Sequence, residues 1–146
     1  MTPHSALRTQ WRGPIDFDEW RSLHEDAWGR APGESDPVRR LHEHSLGWVT
    51  ARRDEGRLVG FVNVAWDGAL HAFVLDTTVA LTARRTGVGT RLVAAAVEGA
   101  RAAGCHLLHV DFEPELRPFY LDACGFDSTD AGLVDLRALG WDRGQS

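Results

Sequence analysis

The chain has 146 residues, a formal net charge of −5 and 43% hydrophobic residues, which fits one domain with a core large enough to need no staple. All 16 basic residues are Arg, so a phosphate-loop lysine and a Schiff-base lysine are both excluded. No basic run with interleaved aromatics occurs, which argues against nucleic acid. No uncharged stretch approaches a membrane span and no charged-then-apolar signal pattern opens the chain. The two cysteines, Cys105 and Cys124, lack metal-ligand spacing and a disulfide framework. A cytoplasmic location is the default expectation, and Arg without Lys beside a single Ile points to a GC-rich bacterial source.

In chain order, Leu7 to Trp11 reads as a short first strand. Asp16 with Glu19 three residues on forms a capping-box signal, and Phe17, Trp20, Leu23, Ala27 and Trp28 follow on one helical face. Gly29 to Gly33 ends that helix. Asp36-Pro37 starts a second one carrying Val38, Leu41 and Leu46. His42 and His44 stand two apart, pointing to different faces, and read as surface residues rather than metal ligands.

Gly47 to Arg53 and Arg57 to Trp66 are strand-like runs around the turn Asp54-Glu55-Gly56. A third strand, Leu70 to Val79, follows Asp67-Gly68, and the three predict an antiparallel meander. The stretch Arg84-Arg85-Thr86-Gly87-Val88-Gly89-Thr90 then interrupts the pattern. Its two glycines let the backbone approach a ligand, the amides of the following helix favour an anion, and two arginines suit phosphate. Leu92, Val93, Ala96, Val97 and Ala100 mark one face of that helix, closed by Gly104. Cys105 to Asp111 reads as a buried strand, parallel to the third by the right-handed crossover rule. Glu115 to Ala123 predicts a short helix, Phe126 to Leu136 one or two closing strands, and residues 140–146 a loose tail.

Arg84-x-x-Gly87-x-Gly89 between a strand and an amphipathic helix resembles the acyl-CoA loop of the GCN5-related N-acetyltransferases (GNAT). The segment from Pro118 through Tyr120 to Gly125-Phe126 resembles that superfamily's other landmark, a tyrosine-bearing helix ending in Gly-Phe. The likeness runs over about Leu7 to Leu136. It implies a single α/β (α+β) domain: a mixed sheet, antiparallel in its N-terminal meander and parallel at its central strand pair, with about four helices. A rival reading is the dinucleotide fingerprint, with Asp111 as ribose-binding acid; Leu92 at the third glycine position and the preceding meander count against it.

The resemblance also implies roles. Acetyl-CoA would be the co-substrate, with no metal. Val79, Ala80 and Leu81 would run beside its pantetheine arm, and Arg84, Arg85, Thr86, Gly87, Val88, Gly89 and Thr90 would hold its pyrophosphate. Tyr120 would give a proton to the leaving thiolate, which a neutral phenol of pKa about 10 can do. Asp76, or else Glu113 with Asp111 behind it, would bind the amine or take its proton. Trp28 or Trp20 would wall the acceptor site, with core packing the role of at least one of them. Apart from the resemblance, His71 is a candidate to orient substrate, beside a structural role for a lone histidine near a strand start. Cys124 has no base and orienter, so a covalent acyl-enzyme is not expected. The acceptor expected is a primary amine, a small molecule ahead of a protein N-terminus. The acidic final third, eight acids against three Arg in residues 105–146, tilts it toward cations. A homodimer is expected from the resemblance alone. A non-catalytic acyl-CoA sensor is the alternative function.

Overall fold

The computed structural model describes residues 6–138. One five-stranded sheet in the order β1-β2-β3-β4-β5 runs through it. Its strands are β1 (Arg8–Trp11), β2 (Ser45–Arg53), β3 (Arg57–Trp66), β4 (His71–Val79) and β5 (Leu107–His109). The first four pair antiparallel and β5 pairs parallel to β4, His71 standing against Leu107 and Phe73 against His109.

Helix α1 (Phe17–Trp28) starts on the expected capping box: the Asp16 carboxylate accepts from the Glu19 amide, and the Glu19 carboxylate accepts from the Asp16 amide. Glu19 also takes both terminal nitrogens of Arg52 on β2, which holds its carboxyl below the usual glutamate range. Helix α2 (Pro37–His44) is capped by Asp36 and ends two residues earlier than the sequence pattern implies. Leu46 therefore lies on β2, because the Leu41 carbonyl accepts from the Ser45 amide as the chain turns extended.

Helix α3 (Val88–Ala102) buries Val88, Leu92, Val93, Ala96 and Ala100. Its core partners on the sheet include Val49, Ala51, Val62, Val64 and Val74. The fit is close enough to need glycine at two points around Trp11. A Cβ on Gly99 of α3 would stand 2.4 Å from Trp11 Cε3, and one on Gly47 of β2 would stand 2.2 Å from Cζ2. Gly99→Ala is expected to destabilise the fold by about 1–3 kcal/mol through overpacking. That outweighs the roughly 0.5–1 kcal/mol that alanine gains in a helix interior. Equilibrium urea unfolding checks the sign.

Three expectations after α3 need correction. The strand predicted over Cys105 to Asp111 is three residues long and not buried, with Leu107 55% exposed. Its pairing stops at His109 because β4 bends away: an extra residue bulges β4 opposite Phe61 to Asn63, and Asp76 there takes φ 59°. The predicted helix Glu115 to Ala123 is a 3₁₀ turn, Pro114–Leu116, followed by a separate π-helical segment, α4 (Pro118–Ala123), in which the Cys124 amide donates to the Phe119 carbonyl. Pro118 has no amide to carry a helix across the break. Residues 127–135 form no strand. Asp127, Asp130, Gly132 and Asp135 are poor strand formers, and Leu133 and Leu136 stand exposed. The tail proposed over 140–146 lies outside the described residues.

Candidate active site

The bulge at Asp76 opens a splay between β4 and β5, and four segments converge near it. Tyr120 of α4 is buried and its hydroxyl donates to Thr77 Oγ1 at 3.1 Å, fixing it beside Asp76. Phe112 stacks on the Tyr120 ring at 5.0 Å, while Phe119 and Phe126 meet it edge-on. Burial in this aromatic nest raises the phenol above its ordinary value, against the opposing pull of the Thr77 hydrogen bond; the nearby Asp111 charge raises it slightly further. The neutral, proton-bearing form is thereby favoured at neutral pH. Tyr120, Asp111, Glu113, Phe112 and Leu116 line one cavity of about 430 Å³, closed on another side by residues 131–133.

Asp76 faces the second helix. Arg40 of α2 donates to Asp76 Oδ2 at 3.3 Å and to Glu34 at 2.7 Å, so one cation bridges two carboxylates. Its pKa is raised chiefly by the Glu34 bond. Sequence reasoning missed Arg40, 36 residues from its partner, and Thr77; nothing in the spacing marks either. The Cys124 thiol is pushed up by burial, away from the thiolate a nucleophile needs.

The loop before α3 carries the conformation that the glycines suggest. Gly87 is the N-cap at φ 84°, no side chain caps the helix, and its first intrahelical bond runs from the Arg91 amide to the Gly87 carbonyl. The amides of Val88, Gly89 and Thr90 thus form the donor end of a four-turn helix, a setting that suits an anion. The Val88 side chain is buried, leaving only its backbone for a ligand. Arg85 is exposed in the left-handed region at φ 63°. Arg84 turns back: its guanidinium donates to the Ala27 carbonyl at 3.0 Å and the Val79 carbonyl at 3.4 Å. Thr86 donates its hydroxyl to the Ala83 carbonyl.

Along β4, Ala80 gives its amide to Val59 of β3, which points the Val79 and Leu81 amides away from β3. The Leu81 amide is taken by the Asp26 carboxylate of α1 at 2.8 Å, a contact with no sequence signal. Trp28, two residues on, is 52% exposed, whereas Trp20 is in the core. His71 is not brought to Asp76: it pairs with His109 at 2.8 Å at the start of the parallel ladder.

The sequence profile of the Acetyltransferase (GNAT) family matches residues 13–126. A probable glucosamine 6-phosphate N-acetyltransferase 2 from Oryza sativa subsp. japonica is 45% identical over 53 residues, 36% of this chain and only 31% of that protein. Among solved structures, an acetyltransferase of Trypanosoma brucei superposes with a TM-score of 0.72 at 21% identity, covering 90% of this chain and 100% of the other. An aminoglycoside N-acetyltransferase in complex with CoA gives 0.71 at 21% identity over 92% and 97% of the two chains. Glucosamine-6-phosphate N-acetyltransferase from Arabidopsis thaliana gives 0.68 at 15% identity over 89% and 97%. At these identities the structural likeness is one of fold.

Proposed function

The chain belongs to the acetyltransferase (GNAT) family, and from that premise we propose that it moves an acetyl group from acetyl-CoA to a primary amine by direct attack in a ternary complex. The observation that carries the reading is Tyr120: a buried phenol beside the β4 bulge, its hydroxyl donating to Thr77 and its acidity suppressed by its surroundings. Acetyl-CoA, when bound, supplies an activated acyl group and a thiolate leaving group. The uncapped start of α3, with Gly87 to Thr90 and the exposed Arg85 beside it, fits its pyrophosphate, which Arg84 can join only by leaving the Ala27 and Val79 carbonyls; the edge of β4 from Val79 to Leu81 fits the pantetheine arm. For Leu81 to serve, Asp26 must release its amide.

Tyr120 delivers its proton to the departing sulfur, its hydroxyl turning from Thr77 Oγ1, which accepts that proton in the resting site, toward the thiolate. The Val79 amide stabilises negative charge developing on the acyl oxygen. Asp76 attracts the ammonium form of the acceptor and takes the proton that its nitrogen must lose, with Glu113 and Asp111 adding negative charge from the cavity beside Tyr120. Burial raises the pKa of Cys124, which agrees with direct transfer rather than a thiol-bound acyl group. The acceptor is a small-molecule amine, with cations favoured by the carboxylates around Tyr120.

Free-thiol release from acetyl-CoA across a panel of primary amines tests this function. One or more amines are expected to give turnover, and Asp76→Asn should lower kcat/KM by about 10²-fold or more, the scale of one general base. Glu113→Gln should cost less. Acetyl-CoA binding with no turnover on any amine would favour a sensor instead.

A further inference from the structure

A second cavity, this one basic and of about 410 Å³, is lined by Arg53, Asp54, Arg57, Val59, Thr82, Ala83 and Thr86. It shares no residue with the Tyr120 cavity and touches the Gly87 loop only through Thr86. Three features of it call for a ligand. Arg53 and Arg57 are direct cross-strand partners at the end of the β2–β3 hairpin, where like charges repel. The Arg53 Nε is buried and has no hydrogen-bond partner among the described residues, and a buried donor left unmade is costly. The rest of that guanidinium is only loosely held, NH1 reaching Thr86 Oγ1 at 3.4 Å.

The one counter-charge in the cavity is Asp54, 3.3 Å from Arg57 NH2. Both side chains of that pair are more than half exposed, a setting in which ion pairs are weak and exchangeable. Two adjacent guanidiniums in one cavity supply more fork donors than one carboxylate can accept, and the several oxygens of a tetrahedral dianion can take them. We propose that Arg53, Arg57, Thr82 and Thr86 form a second anion site that takes a phosphate monoester. Its position beside the loop suits the 3′-phosphate of coenzyme A, a source that rests on the function proposed above. A separate phosphate-bearing small molecule is the other source, and its chemistry is the same.

Calorimetric titrations with CoA and dephospho-CoA, and thermal unfolding in inorganic phosphate against chloride at equal ionic strength, test the site in wild type and in Arg53→Gln/Arg57→Gln. If the 3′-phosphate is the ligand, wild type prefers CoA over dephospho-CoA by about tenfold or more. The double variant loses that preference while keeping its dephospho-CoA affinity. If a separate molecule is the ligand, the two coenzymes bind alike, but phosphate stabilises wild type and not the variant. Identical behaviour of wild type and variant toward all three probes overturns the proposal. Should wild type bind neither coenzyme, the acetyl-transfer reading fails while the phosphate arm still decides this site. Arg57→Gln alone, at an exposed position, serves if the double variant does not fold, with the same outcomes read at reduced amplitude.

Discussion

Tyr120→Phe is expected to lower kcat by about 10²- to 10⁴-fold, the range for a positioned general acid, with acetyl-CoA affinity unchanged. The ring is what packs against Phe112, Phe119 and Phe126, so phenylalanine keeps the nest and removes only the donor to Thr77. The pH dependence follows from the raised phenol. The acid works only while protonated, so activity is retained below the raised value and lost as pH climbs through it. No descending limb from Tyr120 falls in the neutral range. Stability has the same sign: the contribution from keeping this phenol neutral is fully present below about pH 10 and fades as pH rises through the folded value. Steady-state kinetics and unfolding across alkaline pH check both parts. A variant with undiminished kcat would remove Tyr120 from the mechanism.

Gly87→Val is expected to weaken acetyl-CoA binding by about 10²- to 10⁴-fold, equivalent to two hydrogen bonds to a charged group at about 1.5–3 kcal/mol each. Gly87 sits at φ 84°, a conformation in which a β-branched residue is strained by about 1–3 kcal/mol. No atom outside the adjoining residues lies within 4 Å of an added Cβ. The strain is therefore relieved by rotating the loop rather than by repacking the core, and this turns the Val88, Gly89 and Thr90 amides off their common direction. Calorimetry should show the lost affinity with the α3 core still folded. Wild-type affinity in the variant would mean that these amides do not hold the cofactor.

The parts of the fold that were legible in the sequence are those set by local chemistry. Asp16 and Glu19 announce their own capping box, Asp36-Pro37 starts α2, and Asp54-Glu55-Gly56 turns the hairpin at left-handed φ values. The α3 face reads off its 3.6-residue period. What was not legible depends on partners distant in the chain. The length of β5 is set by the bulge at Asp76 on β4, not by the apolar run around Leu107. The segment Phe126 to Leu136 looks strand-like only if its three carboxylates and Gly132 are discounted. At the site, the glycine loop and the single tyrosine stand out as motifs, but Arg40, Thr77 and Asp26 become visible only through their contacts with Asp76, Tyr120 and Leu81. The His71–His109 contact likewise joins residues 38 apart and has no sequence signal.

Isothermal titration of the full chain with acetyl-CoA, beside NADH as control, tests the central claim most directly. Saturable one-to-one binding of acetyl-CoA and none of NADH is the predicted result. It should be accompanied by a stabilisation of about 2.7 kcal/mol at a hundredfold excess over Kd. Absence of acetyl-CoA binding, or binding of NADH alone, would contradict the reading of the Gly87 loop and with it the role given to Tyr120.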